Sequence, residues 1–350
     1  GNHLSELISR RDSLLEKLHA TSLIPDEEYN LAIKDVPKFK PSQENIQAPH
    51  FVIMVKDYLV KKYGEDIVQN GGLRVLTTLD INIQKIAEET VEKYAQINTT
   101  KYKAHNAALV ASNPKTGEML AMVGSKNYFG KTEPENCIPG KSCRFEGNFN
   151  VATASRQPGS SFKPFAYAEA FTKGFPDSTI LFDLPTEFNP NCDSSALQKK
   201  GTNGSDCYNP QNYDGRFRGP VTMRQAIGQS LNVPSVKTLY LAGIDETISL
   251  AHQMGITTLN NRQDYGLSLV LGGGEVKLVD MVTAYGVFAN DGILLKPNFI
   301  KKVTAADGVV LEEFKQEETR VMEPQVARLI NDVLSDNNSR GPVFGYNSPL

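Results

Sequence analysis

Residues 107–124, AALVASNPKTGEMLAMVG, constrain the fold most. Two apolar runs flank Asn113-Pro114-Lys115-Thr116-Gly117. Proline and glycine at those places mark a turn, so the runs pair as an antiparallel hairpin. Other strand signals lie far off. In GGLRVLTTLD (71–80), Leu73, Val75 and Thr77 alternate with Arg74, Leu76 and Thr78, while FIKKVTAADGVVLEEF (299–314) predicts a second hairpin. Between them helical spacing dominates, around FKPFAYAEAFTKG, TMRQAIGQSLN and VKLVDMVTAYGVFAN. Residues 4–34 read as two helices, the second restarting at Pro25-Asp26. DVPKFKPSQENIQAPH (35–50) reads as a connector. FVIMVKDYLVKKYG reads as a helix closed by Gly64, and INIQKIAEETVEKYAQ as one capped by Asp80. A loop-rich insertion is expected over 126–148. Strands, then many helices, then strands again make this an α+β chain.

Charge excludes one class of function. The chain has 37 basic and 40 acidic side chains and a net charge of -3. Nucleic acid is therefore not an expected partner, since general binding to it needs a strong positive field. The apolar stretches fall far short of the roughly 18 residues that span a bilayer. The start, Gly1-Asn2-His3, lacks an initiator Met, which predicts a fragment with any membrane anchor upstream. The four cysteines form no C-x-x-C pair, and His3, His19, His50, His105 and His252 are scattered. No metal or cofactor is expected from that pattern. All four cysteines lie in loop sequence, which suits disulfides in an oxidising compartment. Cys137–Cys143 with Cys192–Cys207 closes the two shortest loops. Two other connectivities, or four reduced thiols, are the alternatives.

The chemistry concentrates in RQPGSSFKP (156–164). After Pro158-Gly159 the run starts a helix. Ser160 and Lys163 are three apart and share a face, whereas Ser161 and Lys163 do not. A serine hydroxyl needs a base within hydrogen-bond reach. Lysine serves only when neutral, and at a pKa of about 10.4 on the order of one in a few thousand is neutral at pH 7. Burial or nearby positive charge must lower it. Alone, S-x-x-K is weak, because a capping serine followed by a surface lysine looks the same.

A second element, Ser230-Leu231-Asn232, ends the predicted helix TMRQAIGQ about 70 residues on. A hydroxyl and an amide two apart can face one cleft, one relaying a proton and the other positioning groups. Taken by itself, the triplet reads as a polar helix end, with Asn232 capping before Pro234. GQSLN lacks the last glycine of G-x-S-x-G, which removes the commonest α/β-hydrolase signature.

The two elements in this order are a specific pattern. RQPGSSFKPF, SLNVPSVK, GGLRVLTTLD, NPKTGEMLAMVG and SLVLGGGEVKLVDMVTAYGVFANDG together resemble the transpeptidase domain of class A, bifunctional penicillin-binding proteins. The resemblance runs from about residue 70 to the end. Residues before about 60 resemble the tail of a glycosyltransferase domain and its linker. The implied domains are 1–48 (glycosyltransferase tail), 49–72 (linker) and 73–350 (transpeptidase). The implied fold is that of penicillin-binding proteins and serine β-lactamases, an antiparallel sheet flanked by helices plus an all-helical subdomain. The family's K-T-G motif follows the Ser-x-Asn triplet, so Lys115-Thr116-Gly117 is expected to be only a turn. The true third motif and its strand are expected beyond residue 350.

The implied activity is acyl transfer, with Ser160 as nucleophile, Lys163 as its base, and Ser230 and Asn232 assisting departure of D-alanine. The implied partners are peptidoglycan stem peptides, lipid-linked precursor and β-lactams. The implied place is outside the cytoplasm, anchored to the membrane. A D,D-carboxypeptidase or β-lactamase of the same superfamily, or a non-catalytic wall-binding scaffold, are the alternatives.

Overall fold

The computed structural model describes residues 4–35 and 46–348. It divides into two compact units, Gly1–Ile46 and Gln47–Leu350. In the first unit the two expected helices run over Leu4–Ala20 and Asp26–Lys34. The Arg11 guanidinium ties them, donating to the carbonyls of Asp35 and, at 3.3 Å, Ile33. Most of the expected connector, residues 36–45, lies outside the described residues.

In the second unit the stretch expected as a linker is helical, over Pro49–Tyr63 and Glu65–Asn70. Phe51, Val55 and Leu59 recur every four residues and bury with Met119, Met122, Ile300 and Val303. Glu312 pins the exposed side of the first helix. It accepts from Tyr58 Oη at 2.7 Å and Tyr63 Oη at 3.1 Å, and pairs with Lys62 at 2.7 Å. Residues 49–63 are thus part of the body, because their apolar positions repeat at helical spacing.

The strand Arg74–Thr77 pairs antiparallel with Ile300–Thr304, which pairs with Val310–Glu313. The hairpin strands Leu109–Ser112 and Met119–Val123 pair with Leu109 opposite Val123. Asn298 stitches the two sheets together. Its N–H donates to Gly117 O and its carbonyl accepts from the Met119 N–H, both at 2.9 Å. The helix Ile81–Tyr102, capped by the Asp80 carboxylate, packs Ala87 and Val91 with Ala121 and Val123 of the hairpin.

The other half is helical and carries the largest core. Its centre is the helix Lys163–Thr172, mostly apolar and buried over most of its length. A helix with that pattern must be surrounded. Met223–Gly228, Asn232–Ala242, Ile244–Gln253, Leu278–Ala289 and Pro324–Ser335 contribute side chains to the same core. One strand pair, Ile180–Asp183 with Gly219–Thr222, interrupts the helices and was not expected from the sequence. In the first of these strands Leu181 and Asp183 point inward, Ile180 and Phe182 outward.

Candidate active site

Ser160 lies one turn earlier than the α-helix proper. Gly159–Phe162 form a 3-10 turn, and the α-helix opens at Lys163. The expected shared face survives, because residues three apart eclipse in a 3-10 helix. Gly159 enters the turn at φ +58°. Gly272, itself at φ +88°, packs so closely there that a Cβ on it would collide with the Gly159 backbone. This close approach, which only glycine permits, holds the turn.

The two serines are both exposed but differ in their bonds. Ser161 Oγ donates to the Pro158 carbonyl at 2.6 Å, and its own carbonyl accepts from Tyr285 Oη at 2.7 Å. Ser161 is thereby tied into the turn. Ser160 is exposed.

Lys163 is 1% exposed. Burial pushes its pKa down to about 7, because the charged form loses its hydration. Its Nζ donates to Ser230 O at 2.7 Å, Ser230 Oγ at 3.1 Å and Asn232 Oδ1 at 2.8 Å. Ser160 Oγ is not among its partners. The two sequence elements nearly 70 residues apart therefore meet on one amine.

The triplet is built differently from its sequence expectation. The helix Met223–Gly228, opened by a Thr222/Gln225 capping box, stops before it. Ser230 adopts φ +55°, Leu231 caps the next helix, and Asn232 is that helix's first residue rather than the cap of the preceding one. The triplet is a corner between two helices, and the left-handed turn at Ser230 lets its carbonyl and hydroxyl both reach Lys163. Asn232 is held from outside: its backbone N–H donates to Asn212 Oδ1 and its Nδ2 to Gln211 O, both at 2.7 Å. Sequence reasoning missed Gln211 and Asn212, which lie in an ordinary polar loop about 20 residues away and carry no motif.

Residues 107–347 match the family model of the penicillin binding protein transpeptidase domain. This chain belongs to that family. The transpeptidase match spans both the Ser160–Lys163 turn and the Ser230–Asn232 corner. Penicillin-binding protein 2D of Bacillus subtilis is 29% identical over 324 residues, covering 91% of this chain and 42% of its own length. Penicillin-binding protein 1A of Aquifex aeolicus is 28% identical, covering 95% and 52%. The chain thus spans about half the length of these curated relatives. Among solved structures, penicillin-binding protein 1A from Haemophilus influenzae superposes with a TM-score of 0.70 at 21% identity, over 96% of this chain and 64% of that one. PonA1 from Mycobacterium tuberculosis in complex with penicillin V gives 0.64 at 23%, over 86% and 72%. These neighbours share the fold of the penicillin-binding domain.

Within that domain, Lys115-Thr116-Gly117 is a hairpin turn, as expected. The Asn113 carbonyl accepts from the Gly117 N–H at 2.8 Å, Gly117 has φ +68°, and Lys115 Nζ reaches Asn290 at 3.1 Å. Both expected disulfides, Cys137–Cys143 and Cys192–Cys207, are formed. Glu187 lies beside the second, but bridged sulfurs offer a metal no thiolate. No helix among the described residues is long and apolar enough to cross a membrane.

Proposed function

We propose that this chain is a serine D,D-transpeptidase module that crosslinks D-Ala-D-Ala stem peptides of peptidoglycan and is acylated by β-lactams. The observation that carries this reading is the buried amine of Lys163. It lies one 3-10 turn from an exposed serine hydroxyl and is held by the Ser-x-Asn corner. Lysine with a pKa near 7 is a competent general base at neutral pH.

In the proposed reaction Lys163 Nζ exchanges a hydrogen bond and accepts the proton of Ser160. Ser160 Oγ attacks the carbonyl carbon of the penultimate D-alanine. The backbone N–H of Ser160 donates to the developing oxyanion. As the C–N bond breaks, the proton on Lys163 passes through the Ser230 hydroxyl to the departing D-alanine amine. Asn232 keeps Lys163 aimed. The acyl-Ser160 ester is then attacked by the amine of a second stem, Ser160 recovers its proton, and an amide crosslink forms. Water in place of that amine gives carboxypeptidase products. A β-lactam opens onto the same oxygen and the ester persists.

Residues 1–48 are proposed to be the end of a glycosyltransferase domain that uses lipid-linked precursor. The whole protein is proposed to work outside the cytoplasm from a membrane anchor, a compartment that suits the two disulfides.

Fluorescent penicillin tests the reading. The unaltered protein is expected to take covalent label, Ser161→Ala to keep it, and Ser160→Ala and Lys163→Met to lose it. An unlabelled wild type would leave a non-catalytic binding role, and a labelled Ser160→Ala would move the nucleophile elsewhere.

A further inference from the structure

Behind the corner that holds Lys163 lies a buried charge. Asp183 ends its strand with a side chain that is 0% exposed. Both of its oxygens accept from Asn212 Nδ2 at 2.9 Å, and Oδ2 also accepts from the Arg218 backbone N–H at 3.0 Å. The Arg218 guanidinium stands 4.0 Å away. Lys237, whose Nζ donates to the Phe182 carbonyl at 2.6 Å, adds positive charge on the same side.

A carboxylate accepts hydrogen bonds and cannot donate them. The end of the Asn212 amide that faces Asp183 must therefore be its NH2, which also serves the Arg216 carbonyl at 2.8 Å. Its Oδ1 is then committed to the Asn232 backbone N–H at 2.7 Å. The Gln211 carbonyl acts in the same way on the Asn232 side chain, taking Nδ2 and leaving Oδ1 for Lys163. A turned Asn212 amide would set NH2 against N–H, and two buried donors would lose their acceptors.

We propose that Asp183 and Asn212 are positioning residues for the acylation step, a buried brace that fixes Asn232 and, through it, the Lys163 amine. The proposal rests on Lys163 being the base. Neither residue needs to touch substrate. With the brace lost, Asn232 keeps only the Gln211 carbonyl, its backbone is free to shift, and the Oδ1 contact with Lys163 weakens, which disfavours the ammonium relative to the amine. The hydrogen-bond partners of Lys163 are all uncharged. Asp183→Asn also removes a negative charge, so Asn212→Ala, which keeps the Asp183 carboxylate, separates the loss of the brace from the loss of that charge.

Asp183→Asn keeps the shape but lets residue 183 donate, so Asn212 can turn. Two measurements on the full chain read the result: titration of Lys163 by NMR of Cε-labelled lysine, assigned with Lys163→Met, and the rate of acylation by fluorescent penicillin. The expected result is a Lys163 midpoint below that of the unaltered protein, with acylation slowed about tenfold or more because the amine is no longer aimed. In a folded variant, a midpoint that stays or rises overturns the brace. Asn212→Ala gives the same two readings where Asp183→Asn does not fold. A wild type that takes no label refutes the transpeptidase reading, while the lysine titration still judges the brace.

Discussion

At the scale of residues, the site depends on one lysine being buried. Lys163 has a pKa of about 7 in the folded chain, against 10.5 for the free side chain. On the proposed mechanism acylation needs its neutral form, so the rate constant with a β-lactam is expected to level off above about pH 7. Below it the rate is expected to fall about tenfold per unit, measured by stopped-flow labelling. Stability carries the opposite imprint of the same shift. Between pH 10.5 and 7 the unfolded chain holds the lysine proton and the folded chain does not, so stability rises with pH across that window and is level below it. Lys163→Met removes the term. Relative to that variant, the wild type is expected to lose unfolding free energy as pH drops from 10.5 to 7 in urea titrations. A pH-independent difference would contradict a depressed lysine. The proposed nucleophile Ser160 and base Lys163 were picked out in the sequence by their spacing, which separates Ser160 from Ser161. Asp183 and Asn212 were not, because residues about 20 and 50 positions from the triplet meet it only after the strand Ile180–Asp183 has turned the carboxylate inward.

At the scale of elements, two backbone features place the proposed reacting groups. One is the corner at Ser230. Its residue types were legible, but its left-handed turn was not: a serine at φ +55° is set by the packing of the two helices it joins. The other is the contact of Gly272 with Gly159. Gly272→Ala adds a Cβ at positive φ and drives it into the backbone beside Ser160. It is expected to slow acylation about ten- to a hundredfold by moving the hydroxyl, with the helical circular dichroism kept. Normal acylation by this variant would show that the turn does not need the close approach. The hairpin over 109–123 was legible because its turn chemistry is local. The helix Pro49–Tyr63 was legible as a helix but not as part of the body, since only the fold shows what its apolar stripe meets.

At the scale of the whole molecule, the body divides its burial among a helical core around Phe165 and Leu239, a sheet-side cluster around Phe51 and Met119, and a smaller one where Ala87 and Val91 meet the hairpin. The long loop-rich segments are held by the two disulfides, which close 6- and 15-residue separations. By loop entropy, losing Cys192–Cys207 is expected to cost about 3 kcal/mol and losing Cys137–Cys143 about 2 kcal/mol. Serine pairs at each position, compared by denaturant midpoint, check that order. The burial of Lys163 has a consequence for the life of the chain. Until the helical core closes, that amine is hydrated and protonated and Ser160 is an ordinary alcohol. On the proposed mechanism reactivity is thus acquired only when that core has formed, so an unfolded copy is protected from acylation. Each labelled molecule is, on this reading, a count of finished ones.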